Sequence, residues 1–125
     1  MALPLLGCGA DTETLSNVEG QVLLDGKPLT TGTVVTQPAT GPAARGEIGS
    51  DGRFVLVTRD AGDGAVPGLH RVGVVAFESS DPQNPESPSK ALVPQKYNNP
   101  LNSGLTINVK AGETNDVTLP LSSRP

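Results

Sequence analysis

The chain has 125 residues and a net charge of −4, with no tryptophan, one tyrosine and two phenylalanines. Its basic residues are scattered and only Phe54, Phe77 and Tyr97 are aromatic, so neither a phosphate-binding patch nor a base-stacking platform is visible, and nucleic acid is not an expected partner. Fifteen Gly and twelve Pro exclude a helical body, since an interior Gly costs about 1 kcal/mol and an interior Pro about 3 relative to Ala; the length fits one domain, and a single cysteine excludes an internal disulfide.

The chain opens MALPLLGCGADTE. Leu3, Leu5 and Leu6 are split by Pro4 and followed at once by Gly7, Gly9 and a polar stretch through Ser16, so nothing here continues as a strand or helix. Leu5-Leu6-Gly7-Cys8 resembles the lipobox of bacterial lipoproteins, in which apolar or small residues precede a cysteine that is acylated and becomes the new N-terminus. The seven residues before Cys8 fall short of the roughly 15–30 of a secretory signal and carry no basic n-region. Two readings follow: a truncated lipoprotein signal, or an ordinary disordered N-terminus carrying a free thiol. The expectation adopted is the first, with residues 1–8 as signal and lipobox, 9–16 as a flexible tether, 17–121 as the folded domain and 122–125 as a tail. No run of about 18 apolar residues offers a transmembrane helix.

Beyond the tether, alternating runs recur about every ten residues between turn signals, the spacing of a sandwich or barrel. Val18, Gly20, Val22 and Leu24 share one face of a first strand that ends at Asp25-Gly26, a strong turn pair. Thr33 to Gln37 forms a second, stopped by Pro38. Ala44 to Ile48 and Arg53 to Thr58 flank Asp51-Gly52 and read as a hairpin. His70 to Phe77 is a fifth strand, and Leu105, Ile107, Val109 and then Val117, Leu119, Leu121 close the chain around Ala111-Gly112. Seven strands predict an all-β, antiparallel Greek-key sandwich with a Val/Leu core.

Gly20-Gln21-Val22-Leu23-Leu24-Asp25-Gly26-Lys27-Pro28-Leu29, Gly32-Thr33-Val34 and Asp51-Gly52-Arg53-Phe54-Val55-Leu56 resemble the signature of carboxypeptidase regulatory-like domains. That resemblance implies a transthyretin-like (prealbumin-like) sandwich. Gly62-Asp63-Gly64-Ala65-Val66-Pro67-Gly68, Val93-Pro94-Gln95-Lys96-Tyr97, and Ser103 to Thr106 before Val109-Lys110-Ala111-Gly112 resemble, more fully, small secreted lipoproteins of planctomycete-type bacteria. The likeness covers roughly residues 17–121. Thr36 and His70 depart from it, standing where that family often carries an aromatic. The family is known as a fold and an anchor more than as an activity, so the resemblance implies no substrate.

Candidate chemical sites are few. Arg59-Asp60-Ala61-Gly62-Asp63-Gly64 places Asp60 and Asp63 in one loop that could hold Ca²⁺, although a shell of 6–8 oxygens needs more than two carboxylates; the competing reading is an Asp/Gly turn closed by local side-chain bonds. Asp81 to Pro88 is a proline-rich segment read as a solvated crossover, with a recognition loop as the alternative. His70 is expected to be a half-buried structural residue rather than a general base, and no G-x-S-x-G elbow is present. Transthyretin-like hydrolases rely on several histidines and a characteristic tail, whereas this chain has one His and ends Leu121-Ser122-Ser123-Arg124-Pro125. One His and one Cys do not make a zinc site. A Lys–Asn isopeptide, found in some bacterial sandwiches of similar topology, has candidates in Lys27 and Asn115, but Lys27 sits in a turn.

The sequence therefore leads to a non-enzymatic, exported, lipid-anchored cell-envelope sandwich, held to a membrane through acylated Cys8, without cofactor or metal, serving as a structural, accessory or binding module. Its partner would be an envelope protein or a glycan. The alternative is a soluble carbohydrate- or peptide-binding module that presents loops or a sheet edge.

Overall fold

The computed structural model describes residues 15–59, 63–79, 83–84, 86 and 89–123. Among them the chain forms ten strands and one 3₁₀ turn, Gln95–Asn98: β1 (Val18–Leu24), β2 (Lys27–Pro28), β3 (Thr33–Pro38), β4 (Ala44–Glu47), β5 (Arg53–Val55), β6 (Gly68–Val75), β7 (Phe77–Ser79), β8 (Ser89–Ala91), β9 (Leu105–Val109) and β10 (Asn115–Leu121). In one sheet β1 is central, with β10 on one side and β2 and β5 on the other; the second runs β4-β3-β6-β9; β7 and β8 pair only with each other. The expected all-β sandwich is the fold.

Period-two alternation builds the core. Val18 and Val22 of β1, Phe54 of β5 and Leu119 and Leu121 of β10 face Val34, Val72, Val74, Ile107 and Val109 of the second sheet, all buried. Each fully buried aliphatic side chain contributes about 1.5–3 kcal/mol, which lets a core of small residues hold without metal or disulfide. Gly20 makes the close contact in this layer. It lies opposite Phe54 in the β1–β5 register, and a β-carbon there would overlap the Val117 carbonyl oxygen and sit 2.9 Å from Phe54 Cζ.

Four features differ from the sequence reading. First, β10 runs parallel to β1, from Val18 opposite Asn115 to Leu24 opposite Leu121, so the first sheet is mixed. Parallel neighbours need a long crossover, and here nearly the whole intervening chain is that crossover. Second, the two expected hairpins are sheet-to-sheet crossings. β4 pairs with β3 while β5 pairs with β1, joined by Arg45 N–H to Val57 O (2.9 Å) and Val57 N–H to Arg45 O (2.8 Å); β9 pairs with β6 and β10 with β1. Alternation reports which side chains are buried, not which strand receives the hydrogen bonds. Third, β7 and β8 flank the proline-rich segment and turn the expected crossover into a ribbon, while Lys27–Pro28 adds a short strand against β1. Fourth, Ser16, assigned to the tether, is buried and exchanges both backbone bonds with Ala65 at 3.0 Å. Ser122 and Ser123, assigned to the tail, donate their N–H groups to Tyr97 Oη and Asp25 Oδ1, each at 3.0 Å.

The registers define two ends. At the first lie Ser16, the 38–44 loop, Asp63-Gly64 and the 110–114 turn. At the second lie the turns at Asp25-Gly26 and Ser50 to Gly52, the buried Tyr97, and the start of the β7–β8 ribbon after Ala76.

Candidate functional site

Leu5, Leu6, Gly7, Cys8 and Asp60 lie outside the described residues. The described chain joins the sandwich at Ser16. Besides its bonds to Ala65, the Ser16 hydroxyl accepts from Gly112 N–H at 3.2 Å. Gly64 packs against this joint with φ +88°, and a β-carbon there would overlap the Ser16 carbonyl oxygen. The N-terminal segment is therefore fixed to the first end of the sandwich by backbone groups of two loops.

Asp63 closes its own loop. Its Oδ1 accepts from Thr58 N–H at 2.7 Å and its Oδ2 from Arg59 N–H at 2.9 Å, while the Thr58 hydroxyl donates to Gly64 O at 2.7 Å. Both carboxylate oxygens thus serve the turn, which is what an Asx-type loop requires. Among the described residues no three His, Cys, Asp or Glu side chains gather as a metal site would need.

His70 is fully buried, not half-buried as expected, and faces Thr36, also fully buried. Nε2 lies 2.7 Å from the Val66 carbonyl oxygen. A carbonyl only accepts, so Nε2 carries the proton, and in the neutral ring Nδ1 accepts the Thr36 hydroxyl proton across 3.1 Å. Thr36 and His70, the two positions singled out in the sequence, are therefore bonded to each other as a satisfied buried polar pair. Sequence reasoning flagged both residues separately and had no signal for their contact, because they are 34 residues apart.

Lys27 and Asn115 are not brought together. Lys27 pairs with Leu24 at one end of β1, and Asn115 pairs with Val18 at the other, a separation of about 20 Å at 3.3 Å per residue. Asn115 is instead the clasp of the β9–β10 turn. Its Nδ2 lies 3.1 Å from the carbonyl oxygens of Asn17, Lys110 and Glu113, and its Oδ1 accepts from Lys110 N–H at 2.8 Å.

On the surface, a groove of about 270 Å³ on the outer face of the β4-β3-β6-β9 sheet is lined by Gln37, Pro38, Ala39, Leu69, Arg71 and Leu101. A wider trough of about 460 Å³ runs between β4 and β5, where Arg45 pairs with Glu47 at 3.0 Å. At the second end the ribbon sets Glu78 opposite Lys90 and leaves Phe77 half exposed. No helix among the described residues is long and apolar enough to cross a membrane.

These features define a class, an all-β sandwich. No known family and no curated protein matches the sequence. Among solved structures the chain is similar to a DUF3823 family protein from Parabacteroides merdae, at 16% identity and a TM-score of 0.45 over 85% of this chain and 45% of that one. It is also similar to a 9R-lipoxygenase from Cyanothece, at 16% identity and a TM-score of 0.43 over 98% of this chain and 18% of that one. The chain spans less than half the length of either.

Proposed function

We propose that this protein is a non-enzymatic sandwich of the bacterial cell envelope, carried at a membrane by acylation of Cys8 and acting there as a structural, accessory or binding module of the carboxypeptidase regulatory-like, transthyretin-like kind. The observation that carries the reading is the short interval between the Leu5-Leu6-Gly7-Cys8 motif and Ser16, the residue at which the chain locks onto one end of the sandwich. Such an arrangement suits a body held close to a surface, with its other end directed outward. A non-catalytic role is supported by His70, whose two ring nitrogens are both engaged inside the core and so have no access to a substrate. Two acyl chains hold a protein stably at a bilayer, where one gives marginal binding. The test is fractionation of cells expressing the gene with its upstream sequence: the protein is expected in the membrane fraction, and Cys8→Ser is expected to release it. Membrane association unchanged in Cys8→Ser contradicts the anchor.

The ribbon favours a second reading as a carbohydrate- or peptide-binding module, because it presents the half-exposed Phe77 at the second end. Arrays of glycans and peptides probed with the full chain decide it. Specific binding lost in Phe77→Ser supports this reading, and an array without specific binding removes it.

A further inference from the structure

The chain carries 13 carboxylates against nine Lys and Arg, and the imbalance is unevenly distributed. Residues 33–46, 64–77 and 97–112, which contain β3, β6, β9 and the loops beside them, include no Asp or Glu but hold Arg45, Arg71 and Lys110. Arg45 is committed to Glu47; Arg71 is exposed and has no ion-pair partner among the described residues. The described residues expose four large apolar side chains, and the two most exposed, Leu101 at 64% and Leu69 at 59%, converge on the same groove as Arg71. The wall is built on packed backbone: Leu69 and Arg71 are on β6, and Pro100 lies so close over Gly73 of the same strand that a β-carbon there would come within 3.0 Å of Pro100 Cδ, which holds the loop that carries Leu101. A cation between two exposed leucines, in a groove whose lining holds no carboxylate and on a sheet face where Glu47 is already paired with Arg45, is complementary to an interface that is anionic above and apolar beneath.

The position of the face agrees with that chemistry. Leu69 follows Ala65, the backbone partner of Ser16, by four residues and lies at the first end of the sandwich. From Cys8 to Ser16 the chain can span at most about 29 Å, only slightly more than the roughly 23 Å length of seven-residue β1. A body anchored at Cys8 therefore keeps this end within about 29 Å of the bilayer. We infer that the outer face around Leu69, Arg71 and Leu101 seats on an anionic lipid surface, with the leucines in the headgroup–acyl boundary, Arg71 against lipid phosphate, and the β7–β8 ribbon directed away. This inference rests on the anchored reading of Cys8 and adds the orientation and the lipid charge.

Since the chain has one cysteine and no tryptophan, the full protein can be coupled through Cys8 to a maleimide lipid in phosphatidylcholine–phosphatidylglycerol vesicles with brominated acyl chains, carrying a reporter as either Leu69→Trp or Ser50→Trp. Circular dichroism first establishes that each variant is folded. The expected result is a blue shift and several-fold stronger quenching at position 69 than at position 50. That quenching should fall when Arg71→Glu or Leu101→Ser is added, and when phosphatidylglycerol is omitted. Equal quenching at the two positions, or quenching at 69 indifferent to Arg71→Glu and to lipid charge, overturns the seating. Coupling supplies the anchor artificially, so this result is independent of native acylation; an unmodified Cys8 in cells would instead remove the anchored reading.

Discussion

The paired sheets and the β7–β8 ribbon come from the same chain but are held by different forces. In the sheets, Val18, Val22, Val34, Val72 and Val74 are fully buried, and the buried polar side chains Thr36, His70 and Asn115 each have partners. In the ribbon, Phe77, Glu78, Lys90 and Ala91 are exposed, with one opposed charge pair and the Leu92 N–H to Ala76 O bond of 2.9 Å at its base. A two-stranded hairpin alone is marginal in water. The sheets thus fix the fold, and substitutions at the exposed ribbon residues are expected to cost it little.

Substitutions can break this contrast or sharpen it. The largest effect is expected at the close contact beneath Phe54. Gly20→Ala, whose methyl would overlap the Val117 carbonyl and crowd Phe54, should cost more than about 3 kcal/mol or prevent folding. Leu56, fully buried, comes next, with Leu56→Ala expected to lose about 2–5 kcal/mol in urea denaturation. His70→Phe restores the aromatic of the resembled family but strands the Thr36 hydroxyl and the Val66 carbonyl, and should cost about 1–3 kcal/mol. Adding Thr36→Val removes one stranded group, so the double variant should recover part of that loss, with a coupling of about 0.5–3 kcal/mol; strict additivity would contradict the bonded pair. At the bottom of the scale, Glu78→Ala should change stability by less than about 0.5 kcal/mol. Native-state hydrogen exchange should find ribbon amides opening long before those of β1 and β6; equal protection would erase the distinction drawn between the two regions.

What was legible in the sequence follows the same division. The Asp25-Gly26 turn was legible because both residues adopt positive φ, +54° and +85°, and Asp and Gly tolerate it. The buried faces of β1, β6 and β9 were legible from alternation. Strand direction was not, because period two reads the same for parallel and antiparallel pairing, and β10 could be placed beside β1 only once the fold was known. The ribbon escaped for a different reason: Phe77–Ser79 and Ser89–Ala91 are too short for alternation to register, and nine residues, 80–88, separate them. Asp63 was legible as a turn former, whereas the Thr36–His70 bond depends on the β3–β6 register and leaves no local trace.

The most direct test of the account is the mass of the mature N-terminal peptide from the gene expressed with its upstream sequence in its own or a related host. The expected peptide begins at Cys8 and carries diacylglycerol, with or without a further N-acyl chain. An unmodified peptide beginning at Met1 contradicts the anchor and leaves a sandwich whose function lies in its ribbon and loops.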